Sequence, residues 1–206
     1  TNNGQNWAQT SLNNQSVSSL AVSGNNIFAG TDSNGVYLST NNGQNWTQTA
    51  LNNHYVPSLA ISGNNIFAGS YGVYLSTNNG QTWTQTALNN ETVRSLAIRG
   101  NYIFAGIDNY YSASGGVYHS TNNGQNWTQR GLNNQLIISL AASGNYIFAG
   151  TGDGYNPNNG IYVSTNNGQS WTQTTMSNNS VLSLAISGNS IFAGTLNNGV
   201  YLSSNN

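Results

Sequence analysis

Val17-Ser18-Ser19-Leu20-Ala21-Val22-Ser23-Gly24-Asn25-Asn26-Ile27-Phe28-Ala29-Gly30 is a phrase that the chain uses again, with small changes, from Val56, Val93, Ile137 and Val181. Self-similarity at a fixed spacing marks repeat architectures and takes precedence over local propensity. The frame extends outward from this phrase. A Trp stands twelve residues before each Ser-Leu-Ala, at positions 7, 46, 83, 127 and 171. A Gly opening Gly-Val-Tyr or Gly-Ile-Tyr stands eleven residues before the later Trp residues, at Gly35, Gly72, Gly116 and Gly160, and Gly199 opens the fifth copy. Length variation falls only between the Gly that ends Ile-Phe-Ala-Gly and the Gly that opens Gly-Val-Tyr.

Each unit reads as four short strands: Val17 to Ser23, Asn26 to Thr31, Gly35 to Ser39 and Trp46 to Ala50 in the first. Asn-Gly-rich turns join them, because tight reversals need residues that tolerate positive φ. Large and small residues alternate along the first strand, with Leu20 and Val22 on one face and Ser19 and Ala21 on the other, so one blade's large face can pack on its neighbour's small face. Four strands per repeat of about 37 to 44 residues, five times over, predict an all-β fold: a five-bladed β-propeller of four-stranded antiparallel blades, one domain over residues 1–206. Continued at the same spacing, the fifth copy would place a Trp at position 210, equivalent to Trp7. The N-terminal strand around Trp7 is therefore expected to complete the last blade beside Val200 to Ser203 and close the ring. A solenoid or a ring with more blades remains the alternative. Because the chain starts inside the repeated motif, a processed chain or an excerpt of a longer polypeptide is expected.

Composition narrows the function. Only 3% of the 206 residues are charged, against about 25% in an ordinary chain. Solubility rests on neutral hydrogen-bonding groups, chiefly Asn. With a net charge of -1 and no Lys, the chain cannot neutralise a row of phosphates, so no nucleic acid partner is expected. Anionic membrane surfaces are excluded on the same ground, and no apolar run approaches the roughly 18 residues of a membrane span, so no membrane insertion is expected. Absence of Cys removes disulfides and thiol chemistry.

Ser39-Thr40-Asn41-Asn42-Gly43-Gln44-Asn45-Trp46 resembles the Asp-box, the Ser-x-Asp-x-Gly-x-x-Trp hairpin of the bacterial neuraminidase (BNR) repeat. Copies stand at Ser76 to Trp83, Ser120 to Trp127 and Ser164 to Trp171, with a truncated one at Thr1 to Trp7. The Asp position carries Asn in every copy (Asn41, Asn78, Asn122, Asn166), which keeps a turn bond and drops the charge. The Val-x-Ser-Leu-Ala phrase is similar to repeats of secreted bacterial propeller proteins of undefined activity, which implies a secreted or cell-surface setting. In the family the Asp-box is a structural staple. The sialidase branch implies three Arg around a carboxylate, a Tyr and Glu pair and an Asp acid. Here Arg94, Arg99 and Arg130 fall at unrelated repeat positions and Glu91 is the only Glu, so no catalytic residue and no enzyme activity is expected, and a degenerate glycosidase-like propeller is the weakest reading.

Residues shared by all repeats build blades, so function is sought where the repeats differ. The loop between second and third strands is minimal in blade two (Ser70-Tyr71) and long in blades three and four, from Ile107 to Gly115 and from Thr151 to Asn159. Insertions confined to one loop emerge on one face. That face also carries the connection between blades, where His54-Tyr55 replaces Gln15-Ser16, Glu91-Thr92, Gln135-Leu136 and Asn179-Ser180. The candidate ligand-binding residues are Asp108, Asn109, Tyr110, Tyr111, Asp153, Tyr155, Asn156, His54 and Tyr55. Aromatic faces for a sugar ring, with amides and carboxylates for its hydroxyls, suit a neutral glycan or a surface protein. Ordinary long loops have the same composition. A Ca²⁺ site at Gly152 to Asn156 has too little charge, so no metal and no cofactor is expected. His119 stands where Leu38, Leu75 and Leu202 stand in other blades and reads as a substituted core residue, while the repeated Tyr37, Tyr74, Tyr118, Tyr162 and Tyr201 read as scaffold. The rival function is a structural subunit or spacer that self-associates in an extracellular or cell-surface assembly.

Overall fold

The computed structural model describes residues 4–108, 115–152 and 159–204. Blade one is a meander of β1 (Val17–Ser23), β2 (Asn26–Thr31), β3 (Val36–Ser39) and β4 (Thr47–Gln48). Blade two repeats it with β5 (Ser58–Ser62), β6 (Asn65–Ser70), β7 (Gly72–Ser76) and β8 (Thr84–Gln85). Blade three has β9 (Val93–Arg99), β10 (Tyr102–Ile107), β11 (Gly116–Ser120) and β12 (Thr128–Gln129), and blade four β13 (Ile137–Ser143), β14 (Tyr146–Thr151), β15 (Gly160–Ser164) and β16 (Thr172–Ser177). Blade five has three strands, β17 (Val181–Ser187), β18 (Ser190–Thr195) and β19 (Val200–Ser203). All pairings are antiparallel, and the five sheets form a β-propeller with no helix among the described residues.

The innermost strands β1, β5, β9, β13 and β17 follow one another side by side. Register follows from the turns: Ser23 faces Asn26 across Gly24-Asn25, with Gly24 at φ 58, and Phe28 faces both Ala21 and Leu38. The second strands of blades two to four are buried on both faces, which is why Ile66-Phe67-Ala68-Gly69 has no polar alternation. Phe28 and Val36 of blade one pack on Ile66 and Ala68 of blade two, and Phe67 and Val73 pack in the same way on Ile103 and Ala105. Blade spacing is tight enough to demand Gly at the strand centre. A Cβ on Gly69 would lie 2.8 Å from Cγ1 of Val93 in the next blade.

The fourth strand is shorter than the sequence suggests in blades one to three. Thr49 N–H donates to Val36 O at 2.8 Å and Val36 N–H donates to Leu51 O at 2.9 Å, so the outer strand bulges after two residues while staying bonded.

Among the described residues the N-terminal segment does not close the ring. Trp7 is 90% exposed, and blade five gains no fourth strand beside β19. Val200 and Leu202 are 73% and 61% exposed, whereas the equivalents of Val200 in the other blades, Val36, Val73, Val117 and Ile161, are buried. On the opposite end Leu20 and Val22 are 64% and 65% exposed. The physical reason lies in blade one. Ser11 Oγ donates to Gln44 O at 2.8 Å and Thr10 packs beside Gly43, so the segment after Trp7 is held against blade one's own hairpin. It is bonded to blade one rather than to β19, and blades one and five each keep an uncovered face.

Candidate functional site

The Asp-box hairpins are built alike in four blades. Ser76 Oγ, buried, donates to Asn78 Oδ1 at 3.0 Å and accepts the Gly80 N–H at 2.8 Å, and Asn78 Oδ1 also accepts the Thr82 N–H at 2.9 Å. Asn41, Asn122 and Asn166 repeat this with Ser39, Ser120 and Ser164. Amide oxygen therefore does what a carboxylate oxygen would do at this turn, and the hairpin is a staple rather than a reactive site. Its Trp reaches the preceding blade: Trp83 Nε1–H donates to Thr49 Oγ1 and Trp127 Nε1–H to Thr86 Oγ1, both at 3.2 Å.

The described ends of the variable segments lie beside the connections between blades. Backbone bonds tie the loop after each second strand to the connections between blades: Gly35 N–H to His54 O at 2.9 Å, Gly72 N–H to Glu91 O at 2.8 Å, Asp108 N–H to Thr92 O at 2.9 Å. His54 Nδ1 lies 2.5 Å from Asn52 O and must be the protonated nitrogen, leaving Nε2 to accept the Tyr74 hydroxyl at 3.1 Å. The two rings meet edge to face at 4.9 Å. Tyr55 accepts a hydrogen bond from Arg94 Nη1 at 3.1 Å, and Arg94 lies 3.6 Å from Asp108. Two candidate residues, Tyr55 and Asp108, are thus joined through Arg94. The other candidates, Asn109, Tyr110, Tyr111, Asp153, Tyr155 and Asn156, lie outside the described residues.

Two rim residues escape a reading by type. Arg94 falls inside a strand, yet its position is the second residue of the innermost strand, where Ser18 stands in blade one. Ser18 Oγ donates to Asp32, the equivalent of Asp108, so alignment of the repeats exposes a shared cross-strand pair. Tyr74 is scaffold along its ring, but its hydroxyl faces the rim and bonds His54. Burial raises the Tyr74 hydroxyl above its ordinary pKa, and the Tyr118 hydroxyl is raised first by burial and then by the charge of Glu91. Both remain protonated donors at neutral pH.

The three Arg have separate partners. Arg99 lies over the Tyr102 ring at 5.8 Å and donates to Gly144 O at 3.3 Å, and Arg130 Nε–H donates to His119 Nε2 at 2.9 Å. His119 is buried between Tyr102 and Phe104, and desolvation and then Arg130 lower its pKa. Among the described residues no group of three His, Asp or Glu side chains is placed to hold a metal.

The BNR/Asp-box repeat model matches residues 74–85 and 162–173, the hairpins of blades two and four. No curated protein matches the chain in sequence. Among solved structures, an ancestral GH74 enzyme superposes with a TM-score of 0.74 at 24% identity, over 88% of this chain and 27% of that one. The GH74 xyloglucanase from Xanthomonas campestris gives 0.73 at 15% identity, over 90% and 36%. YCF48 bound to D1 peptide gives 0.67 at 14% identity, over 92% and 63%. This chain therefore spans about a quarter to a third of the GH74 enzymes it matches. Fold and hairpins together define the class, a β-propeller. Within it the chain is a five-bladed propeller, two of whose hairpins match the BNR/Asp-box repeat.

Proposed function

We propose that the chain is a non-catalytic, secreted or cell-surface binding module that takes a neutral glycan, or a surface protein, on the rim bearing the loops of blades three and four. One observation carries this reading: the described ends of the segments that vary between otherwise equivalent blades are bonded to the connections between blades, where His54-Tyr74 and Tyr55-Arg94-Asp108 form two side-chain clusters. Exposed Tyr71 adds an aromatic face there. Supporting analogies come from the fold: one neighbour is a xyloglucanase and another was solved with a bound peptide. An extracellular setting fits the BNR/Asp-box repeats. The non-catalytic part rests on the acids. Asp32 is bonded by Ser18 and Asp108 pairs with Arg94 on separate blades, whereas glycoside hydrolysis asks for two carboxylates flanking one bond.

The test replaces Ile107 to Gly115 and Thr151 to Asn159 by the blade-two connection and compares both proteins on a glycan array. The fold should persist, since blade two makes the same connection with Ser70-Tyr71 and loop-closure cost grows slowly with length. Sugar binding should vanish with Tyr110, Tyr111 and Tyr155. Binding by the shortened protein would place the site elsewhere, and release of reducing sugar from xyloglucan by the intact chain would overturn the non-catalytic assignment.

A further inference from the structure

Three of the four interfaces between blades are completed by an Asp-box Trp, and the fourth is not. Trp83 packs in the cluster between blades one and two, Trp127 between two and three, Trp171 between three and four. Between blades four and five the cluster of Phe148, Ile161, Val181, Ile191 and Ala193 has no Trp. A cavity of about 650 Å³ lies there instead, lined by Tyr146, Ile161, Met176, Tyr201, Leu202 and Thr174 among others. Thr174 is three residues after Trp171, the position of Thr49 after Trp46 and Thr86 after Trp83. Those two threonines accept the indole N–H of the next blade's Trp.

We propose that the Trp7 segment of a second copy of this chain fills this cavity, so that copies associate head to tail. The indole of the incoming Trp7 lies among Tyr146, Ile161 and Met176, with its N–H on Thr174 Oγ1. Ala8 and Gln9 add to β19 as the fourth strand, opposite Leu202 and Tyr201. This register is the one by which Thr47 and Gln48 face Leu38 and Tyr37, and Thr84 and Gln85 face Leu75 and Tyr74. Because Thr10 and Ser11 are held on blade one, the incoming segment brings its own blade one with it. Its exposed Leu20 and Val22 then meet exposed Phe192 and Val200, the same kinds of side chain that meet at the four internal interfaces. The occupant is a second copy rather than the chain's own terminus because Trp7 and both end faces are exposed within one chain. The contact is heterologous, one surface on another, and neither face carries a charge to oppose it.

Sedimentation velocity on the 206-residue chain reads this directly. The expected result is a multimer that dissociates over about a hundredfold dilution. Trp7→Ala and Leu202→Asp, both at residues exposed in the single copy, should each give a folded monomer with an unchanged far-UV circular dichroism spectrum. Mixed, the two variants should form a one-to-one dimer, since one keeps its head and the other its tail. A chain that stays monomeric at every concentration overturns the proposal, whether Trp7 is then solvent-exposed or protected from quenching. So does a multimer that survives both substitutions. A Leu202→Asp variant that loses its native spectrum is replaced by Val200→Lys, read in the same way.

Discussion

Arg94 donates to the Tyr55 hydroxyl from the neighbouring blade, while its own blade supplies the countercharge of Asp108. The guanidinium thus fixes the orientation of an aromatic ring that belongs to a different repeat. Arg94→Ala should leave the melting temperature nearly unchanged, because a half-exposed ion pair is worth about 0 to 1 kcal/mol. Ligand affinity should nevertheless fall, and Tyr55→Phe should reproduce part of that loss. Thermal melting and a binding titration on both variants separate the two effects.

Ligand affinity should change little with salt. Neutral hydrogen bonds and stacking are screened far less than ion pairs at the roughly 3 Å Debye length of 1 M salt. A titration at low and high ionic strength checks this. A steep loss of affinity with salt would mean an anionic partner held by an Arg.

Stability should decline as pH falls below the ordinary His range. The His119 pKa is lowered in the folded state, so the unfolded chain binds the proton first and stability is lost as pH falls from about 6.5 toward the folded value. Above that range the contribution is constant. Arg130, Tyr102 and Phe104 are in contact with the ring, and of these Arg130 carries the charge. His119→Leu, which restores the residue of blades one, two and five, should flatten this part of the profile in denaturant unfolding measured across pH.

Ser120→Ala should cost about 1 to 3 kcal/mol, since it leaves the buried Gly124 N–H without its acceptor and Asn122 Oδ1 with only the Asn126 N–H as a donor. Asn122→Asp should be far milder because Ser120 Oγ–H and the Asn126 N–H can both bond a carboxylate. Urea unfolding of the two variants measures the difference.

Strand positions were legible because the repeat is strict: Val17 to Ser23 and Asn26 to Thr31 follow directly from Gly24-Asn25 and the placement of Ile27-Phe28. Closure was not legible, because counting residues around a circuit says nothing of the angle each interface turns, and that angle decides whether Trp7 reaches β19. Loop lengths point to the rim as the place to seek a site, whereas Arg94 and Tyr74 were obscured by their placement in strands. Only the comparison of Ser18 with Arg94 and of Asp32 with Asp108, blade against blade, brings the first of them out. The Tyr74 hydroxyl has no such signature, since the same Tyr recurs in every blade and only its neighbour His54 differs.

Every internal interface sets a Phe and a Val or Ile against an Ile and an Ala, so any blade is an acceptable neighbour for any other. A repeat added to or removed from such a chain would therefore meet a partner surface of the same kind. Copy number is the property of this architecture that inheritance can change in one step, whereas rim loops must diverge residue by residue. A chain built on such blades can change how far around an arc it extends before it changes the chemistry of any interface.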